Sequence, residues 1–89
     1  MMKGSLDEKL KMDLKRLIVE ECDITIDPGE IGDDDPLFGR ESRLGLDSID
    51  ALQISIAIQN KFNMIITDSK QMRRVMRSMN TFADFIQPE

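Results

Sequence analysis

Histidine, tryptophan and tyrosine are absent from this 89-residue chain, which holds one cysteine and four phenylalanines. Each shortage excludes something. Without histidine there is no Ser-His-Asp or Cys-His nucleophile and none of the usual zinc sites. A lone cysteine makes no internal disulfide, so stability does not depend on oxidation. With aromatics at 4%, the core must be aliphatic. An acidic, aromatic-poor chain is a poor nucleic-acid binder, because neutralising phosphates takes a basic face. Long apolar runs are missing too. The longest uncharged stretch, Ala51 to Asn60, is broken by Gln53, Ser55 and Gln59 and is too short to span a bilayer. Asp7 and Glu8 near the start argue against a signal peptide. The expectation is a cytoplasmic protein with no stable membrane insertion.

What is present suits one small soluble domain spanning residues 1–89: 40% hydrophobic and 33% charged residues. The net charge of −5 is unevenly spread. Residues 1–50 hold 14 acids and 7 bases, whereas residues 51–89 hold 3 acids and 5 bases.

Ser5-Leu6-Asp7-Glu8 reads as a capping box, with Ser5 as N-cap and Glu8 three residues on. Leu6, Leu10, Leu14, Leu17 and Ile18 then trace one face of a helix over about 6–22, with Lys9, Lys11, Lys15 and Arg16 largely off that face. Residues 23–46 break the pattern with Pro28, Gly29, Gly32, Pro36, Gly39 and Gly45. A loop of this length is usually functional or disordered. Ile24, Ile26, Ile31, Leu37, Phe38, Leu44 and Leu46 argue against disorder and read as pegs fastening it to a core.

Asp47-Ser48-Ile49-Asp50 starts the next element, with Asp47 as cap and Asp50 as a second acid in the first turn. Its body is ambiguous. Leu52, Ile54, Ile56 and Ile58 alternate as in a strand, while Ile49, Leu52, Ile56 and Gln59 trace a helical row; the cap, Ala51, Ala57 and the length favour a helix over 48–62. Thr67-Asp68-Ser69 is another capping cluster, opening a helix over about 69–78 with a stripe of Met72, Val75, Met76 and Met79. Asn80-Thr81 opens a last helix, 81–87, whose Phe82, Phe85 and Ile86 face inward.

Three features invite chemistry. The run Asp33-Asp34-Asp35 fails as a calcium loop in both registers: counted from Asp23, Pro28 stands where glycine is needed, and counted from Asp33, Leu44 stands where glutamate is needed. A solvated acidic loop is expected, with no metal site. Cys22, at a helix end without a histidine, reads as a packed or idle thiol. Gly45-Leu46-Asp47-Ser48-Ile49-Asp50 is more informative: a long loop ending in Gly45 places Ser48 at an exposed helix start, where a hydroxyl is well placed to carry a phosphate ester.

In that hexapeptide the chain resembles acyl carrier proteins, whose attachment motif is usually Gly-x-Asp-Ser-Leu followed by an acid. The resemblance runs from about Leu6 to Ile86 and includes Leu37-Phe38, Ile56, Ala57, Phe62, Ile66, Asp68 and Thr81-Phe82-Ala83-Asp84-Phe85-Ile86. It implies an all-α fold, a small four-helix bundle with a long loop between the first two helices. It also implies a non-catalytic carrier that bears acyl groups as thioesters on 4′-phosphopantetheine linked to Ser48. Asp47 would cap the helix and contact the phosphopantetheinyl transferase. Asp50, Gln53, Gln59 and Asp68 would face docking partners, namely an acyl transferase or ligase, a ketosynthase and other acyl-processing enzymes. Ile49, Leu52, Ile56, Phe62, Met72 and Met76 would line the core or an acyl pocket. The second helix of ordinary fatty-acid carriers is strongly acidic. Here it carries Gln53, Gln59, Asn60 and Lys61, and the segment Lys70–Arg77 is basic. A monomer serving a specialised fatty-acid or polyketide-like pathway is therefore expected. A peptidyl carrier and an unmodified helical interaction module are the alternatives.

Overall fold

The computed structural model describes residues 2–38, 44–66 and 69–88. Four helices carry the fold: α1 (Glu8–Glu21), α2 (Ser48–Phe62), α3 (Ser69–Val75) and α4 (Met79–Ile86). Two 3-10 turns, Gly4–Leu6 and Pro28–Glu30, precede and follow α1. Among the described residues there is no strand, only an isolated bridge between Phe38 and Leu46. The fold is all-α, as the periodicities and the resemblance imply.

The core is aliphatic. Leu14 and Ile18 of α1, Ile54 and Ile58 of α2, Met72, Val75 and Met76 around α3, and Met79, Phe82 and Ala83 of α4 are buried together. Burying each such side chain contributes roughly 1.5–3 kcal/mol.

The start of α1 differs from the sequence expectation. The N-cap is Asp7, whose carboxylate accepts the Leu10 N–H at 3.1 Å, and Leu6 is exposed. Ser5 is drawn elsewhere, its N–H donating to Asp84 Oδ1 at 2.8 Å. The cause is Gly4, whose N–H donates to the Gln87 carbonyl at 2.7 Å and whose Cα lies so close to Ala83 that a Cβ would run into the Ala83 carbonyl. The opening turn is thereby docked on α4 and the helix starts later.

Lys11 and Lys15 also depart from expectation: they are 3% and 8% exposed. Their ammonium groups converge on Asp33. Lys11 Nζ is 2.8 Å from Asp33 Oδ2 and 3.2 Å from Glu8 Oε1; Lys15 Nζ is 2.8 Å from Asp33 Oδ1. Oδ1 is buried, and the Lys15 ammonium is its close charged neighbour. The Asp33 carbonyl accepts the Asn80 N–H at 2.9 Å, and Asn80 Nδ2 donates to Asp34 Oδ1 at 2.7 Å. The acidic run is thus not simply solvated. It ties the loop to α1 and to the first turn of α4, and no cluster among the described residues is arranged to hold a metal.

Most of the loop pegs hold as read. Ile31, Leu37 and Leu46 are buried, and Ile24, Phe38 and Leu44 pack against the core. Gly39 lies outside the described residues, as do Thr67 and Asp68 of the third capping cluster. The late boundaries shift. α3 ends at Val75, and α4 begins at Met79 with Ser78 as N-cap, its Oγ accepting the Thr81 N–H at 3.2 Å. Asn80 sits inside that first turn, where it serves the Asp33–Asp34 contacts.

Candidate functional site

The loop returns to the bundle through the Phe38–Leu46 bridge, and buried Leu46 anchors the residue before the α2 cap. Gly45, with φ of 58°, takes the left-handed conformation that L side chains resist, and a Cβ there would meet nothing within 4 Å. A side chain at this position would be opposed by the backbone conformation and not by crowding.

Asp47 begins the helix. Its Oδ1 accepts the N–H groups of Ile49 and Asp50, both at 3.0 Å, and Asp50 Oδ2 accepts the Asp47 N–H at 3.1 Å. This reciprocal capping box satisfies three donors with two acids. Ser48 is the first helical residue and is exposed. At the other end, Asn63 closes α2 in the left-handed region, its N–H donating to the Gln59 carbonyl at 3.0 Å.

Exposed Ser48 lines a cleft of about 460 Å³ between α2 and α3. Its walls are apolar: Phe38, Leu46, Ala51, Leu52, Ile66 and Met72. Asp47, Ser48, Ser55 and Arg73 supply the polar positions. Of the residues expected to form a pocket or core, Leu52 and Met72 line this cleft, Met76 is fully buried in the core, and Phe62 packs against the core. Ile49 and Ile56 do neither; with Leu52 they are 65%, 50% and 60% exposed. α2 presents two apolar rows, and the row turned inward is Ile54 and Ile58, with Ala51, Ala57 and Phe62 beside it. The sequence pattern alone fits either row, and the register set at Leu46 and Asp47 decides between them.

Of the candidate docking residues, Gln53 and Gln59 are exposed, Asp50 is half-buried in the capping box, and Asp68 lies outside the described residues. Lys61 extends over the Phe62 ring at 5.8 Å. Sequence reasoning had Phe38, Leu46 and Ile66 only as pegs or points of resemblance and missed Ser55 and Arg73 as cleft residues. Their only signal is an apolar loop residue on each side of a helix, which does not say where a cleft opens.

Cys22 caps the C-terminal end of α1, with Sγ 4.0 Å from the Asp50 carbonyl oxygen. Burial, reinforced by the charges of Asp50, Glu21 and Asp47, raises the thiol to about 11. At neutral pH it is protonated and a poor nucleophile.

The family defined by the phosphopantetheine attachment site matches residues 13–86, and the chain belongs to that family. It is therefore a phosphopantetheine carrier, of a kind whose members bear 4′-phosphopantetheine covalently and work with transferase and synthase enzymes rather than as catalysts. No curated protein and no solved structure gives a significant match. No helix among the described residues is long and apolar enough to cross a membrane.

Proposed function

We propose that Ser48 carries the arm and that the cargo is an acyl chain. The observation that supports this most directly is that exposed Ser48 lines an apolar cleft. The residues fit the group. A serine at the first position of a capped helix, with its approach left open by Gly45, can be reached by a transferase that supplies its own base. No histidine on this chain is then needed. Once bound, the group supplies a thiol at the end of a long arm, to which cargo is joined as a thioester. This chain's residues do the rest: Asp47 and Asp50 hold Ser48 in place, and Leu52, Ile66 and Met72 offer apolar surface beside it.

The cleft favours acyl over peptidyl cargo, because each methylene entering an apolar site contributes up to about 0.8 kcal/mol whereas a polar backbone loses hydration there. The outer face of α2 shows Ile49, Leu52 and Ile56 alongside Gln53, Gln59 and Asn60, with Lys61 beyond. Such a face suits partners that read apolar shape and amides more than a basic patch that reads carboxylates. This supports a dedicated partner set: an acyl transferase or ligase and a ketosynthase of a specialised fatty-acid or polyketide-like pathway.

The test uses protein loaded from acyl- and aminoacyl-coenzyme A by a broad-specificity transferase. Thermal midpoints should rise stepwise with acyl length and stay flat across aminoacyl groups. Equal behaviour of the two series refutes the acyl reading, and a chain that takes no arm is an unmodified interaction module instead.

A further inference from the structure

We propose that Arg73 is a positioning residue that holds the phosphodiester of the Ser48-linked arm at the α2–α3 cleft. The inference rests on attachment at Ser48 and concerns what offsets the added negative charge.

At many helix starts a phosphate is met by unpaired backbone N–H groups. Here the capping box already engages two of those donors. The Ile49 and Asp50 N–H groups donate to Asp47 Oδ1, and the Asp47 N–H donates to Asp50 Oδ2. A phosphodiester on Ser48 thus gains no donor from these capping bonds and lies near the two acids, Asp47 and Asp50, that make them. Its negative charge is repelled by those acids, and more strongly where water is partly excluded. The capping box itself supplies no cation, so a compensating one comes from another element.

Among the described residues, the cation lining the same cleft as Ser48 is Arg73 of α3. It is exposed, and no described carboxylate pairs with it. The guanidinium fork matches two phosphate oxygens, which a lysine ammonium does not. Lining the same cleft as Ser48, it draws the base of the arm toward α3. The arm's continuation is then directed over Leu52 and Met72 instead of into solvent. Arg74, the next residue, is also exposed but does not line the cleft, and so serves as the control.

The experiment compares holo forms of the wild type, Arg73→Gln, Arg73→Lys and Arg74→Gln, each loaded from coenzyme A and verified by intact mass. The 31P resonance of the phosphodiester is recorded at low salt and at about 1 M salt, where charges are screened beyond roughly 3 Å. Arg73→Gln should lower the docked-to-free ratio of the arm roughly three- to tenfold, as expected for one exposed charge-assisted contact. Its resonance should move toward that of free coenzyme, Arg73→Lys should fall between, and Arg74→Gln should match the wild type. High salt should collapse the differences. Normal mass gain with one resonance position shared by wild type and Arg73→Gln overturns the role of Arg73 alone, as does an equal shift in Arg74→Gln. Failure of the wild type to gain the arm overturns the Ser48 attachment itself.

Discussion

Replacing Asp33 by alanine should destabilise the fold more than any other single change in the loop. The substitution strands Lys11 and Lys15, both almost fully buried, whose ammonium groups each lie 2.8 Å from an Asp33 oxygen. Removing one partner of a fully buried pair costs about 3–5 kcal/mol. Two features reduce that here. The Asp33 side chain is 34% exposed, and Lys11 keeps Glu8 at 3.2 Å and Asn80 at 3.4 Å. A loss of about 2–3 kcal/mol is expected, set against a total near 5–10 kcal/mol for a chain of this size. The thermal midpoint should fall by roughly 10–20 °C. The chain lacks Trp and Tyr, so urea unfolding followed by far-UV circular dichroism is the suitable assay. Adding Lys11→Met and Lys15→Met to Asp33→Ala should recover much of the loss, because the buried charges are then gone. A single-mutant loss below about 0.5 kcal/mol, the size of an ordinary exposed ion pair, would refute the reasoning. Acid gives a second check. Hydrogen bonds from Lys11 and then Lys15 hold Asp33 below the usual carboxylate range. Its stabilisation is present above about pH 4 and is lost as pH falls through the depressed value, so the acid limb of stability should be shallower in Asp33→Asn.

Further outcomes follow from separate contacts. Gly4→Ala drives a methyl into the Ala83 carbonyl and should cost about 1–3 kcal/mol in urea unfolding; wild-type stability would mean that the opening turn does not dock on α4. Cys22, raised to about 11, should alkylate at pH 8 roughly two orders of magnitude more slowly than a free thiol, and Cys22→Ser should accept the arm normally. Alkylation at the free-thiol rate, or loss of loading in a folded Cys22→Ser, contradicts the packed-thiol account. Changing Gln53, Gln59 and Lys61 together to Glu should raise turnover by a general fatty-acid ketosynthase and make it more salt-sensitive. Equal turnover of the native and triple-mutant proteins at low salt shows that the missing acids do not set partner choice.

Much of this molecule was legible because local chemistry and periodicity agreed. The Leu14–Leu17–Ile18 face, the methionine stripe and the Asp47 start of α2 are short-range signals, and they hold. The opening of α1 was misread because Ser5 and Asp7 are both good caps, and a long-range fact, the close approach of Gly4 to Ala83, chooses between them. Lys11 and Lys15 fall largely off the apolar face by sequence, and nothing local marks them for burial. Their burial depends on Asp33, more than a full helical turn beyond the end of α1 in sequence. α2 offered two apolar rows of similar strength, so Ile49 and Ile56 were assigned inward when Ile54 and Ile58 face the core. The hexapeptide marked Ser48, but the cleft beside it draws Phe38, Ile66 and Arg73 from three segments, and no spacing rule in one sequence joins them.

The central claim is that Ser48 bears the arm, and peptide mapping after loading tests it most directly. Trypsin releases residues 44–61 as one peptide, between Arg43 and Lys61, containing both Ser48 and Ser55. Fragmentation of that peptide should place the added phosphopantetheine on Ser48, and Ser48→Ala should stay folded, with Asp47 still capping α2, while gaining no mass. An arm found on Ser55 or Ser42, or a mass gain in Ser48→Ala, would contradict the account.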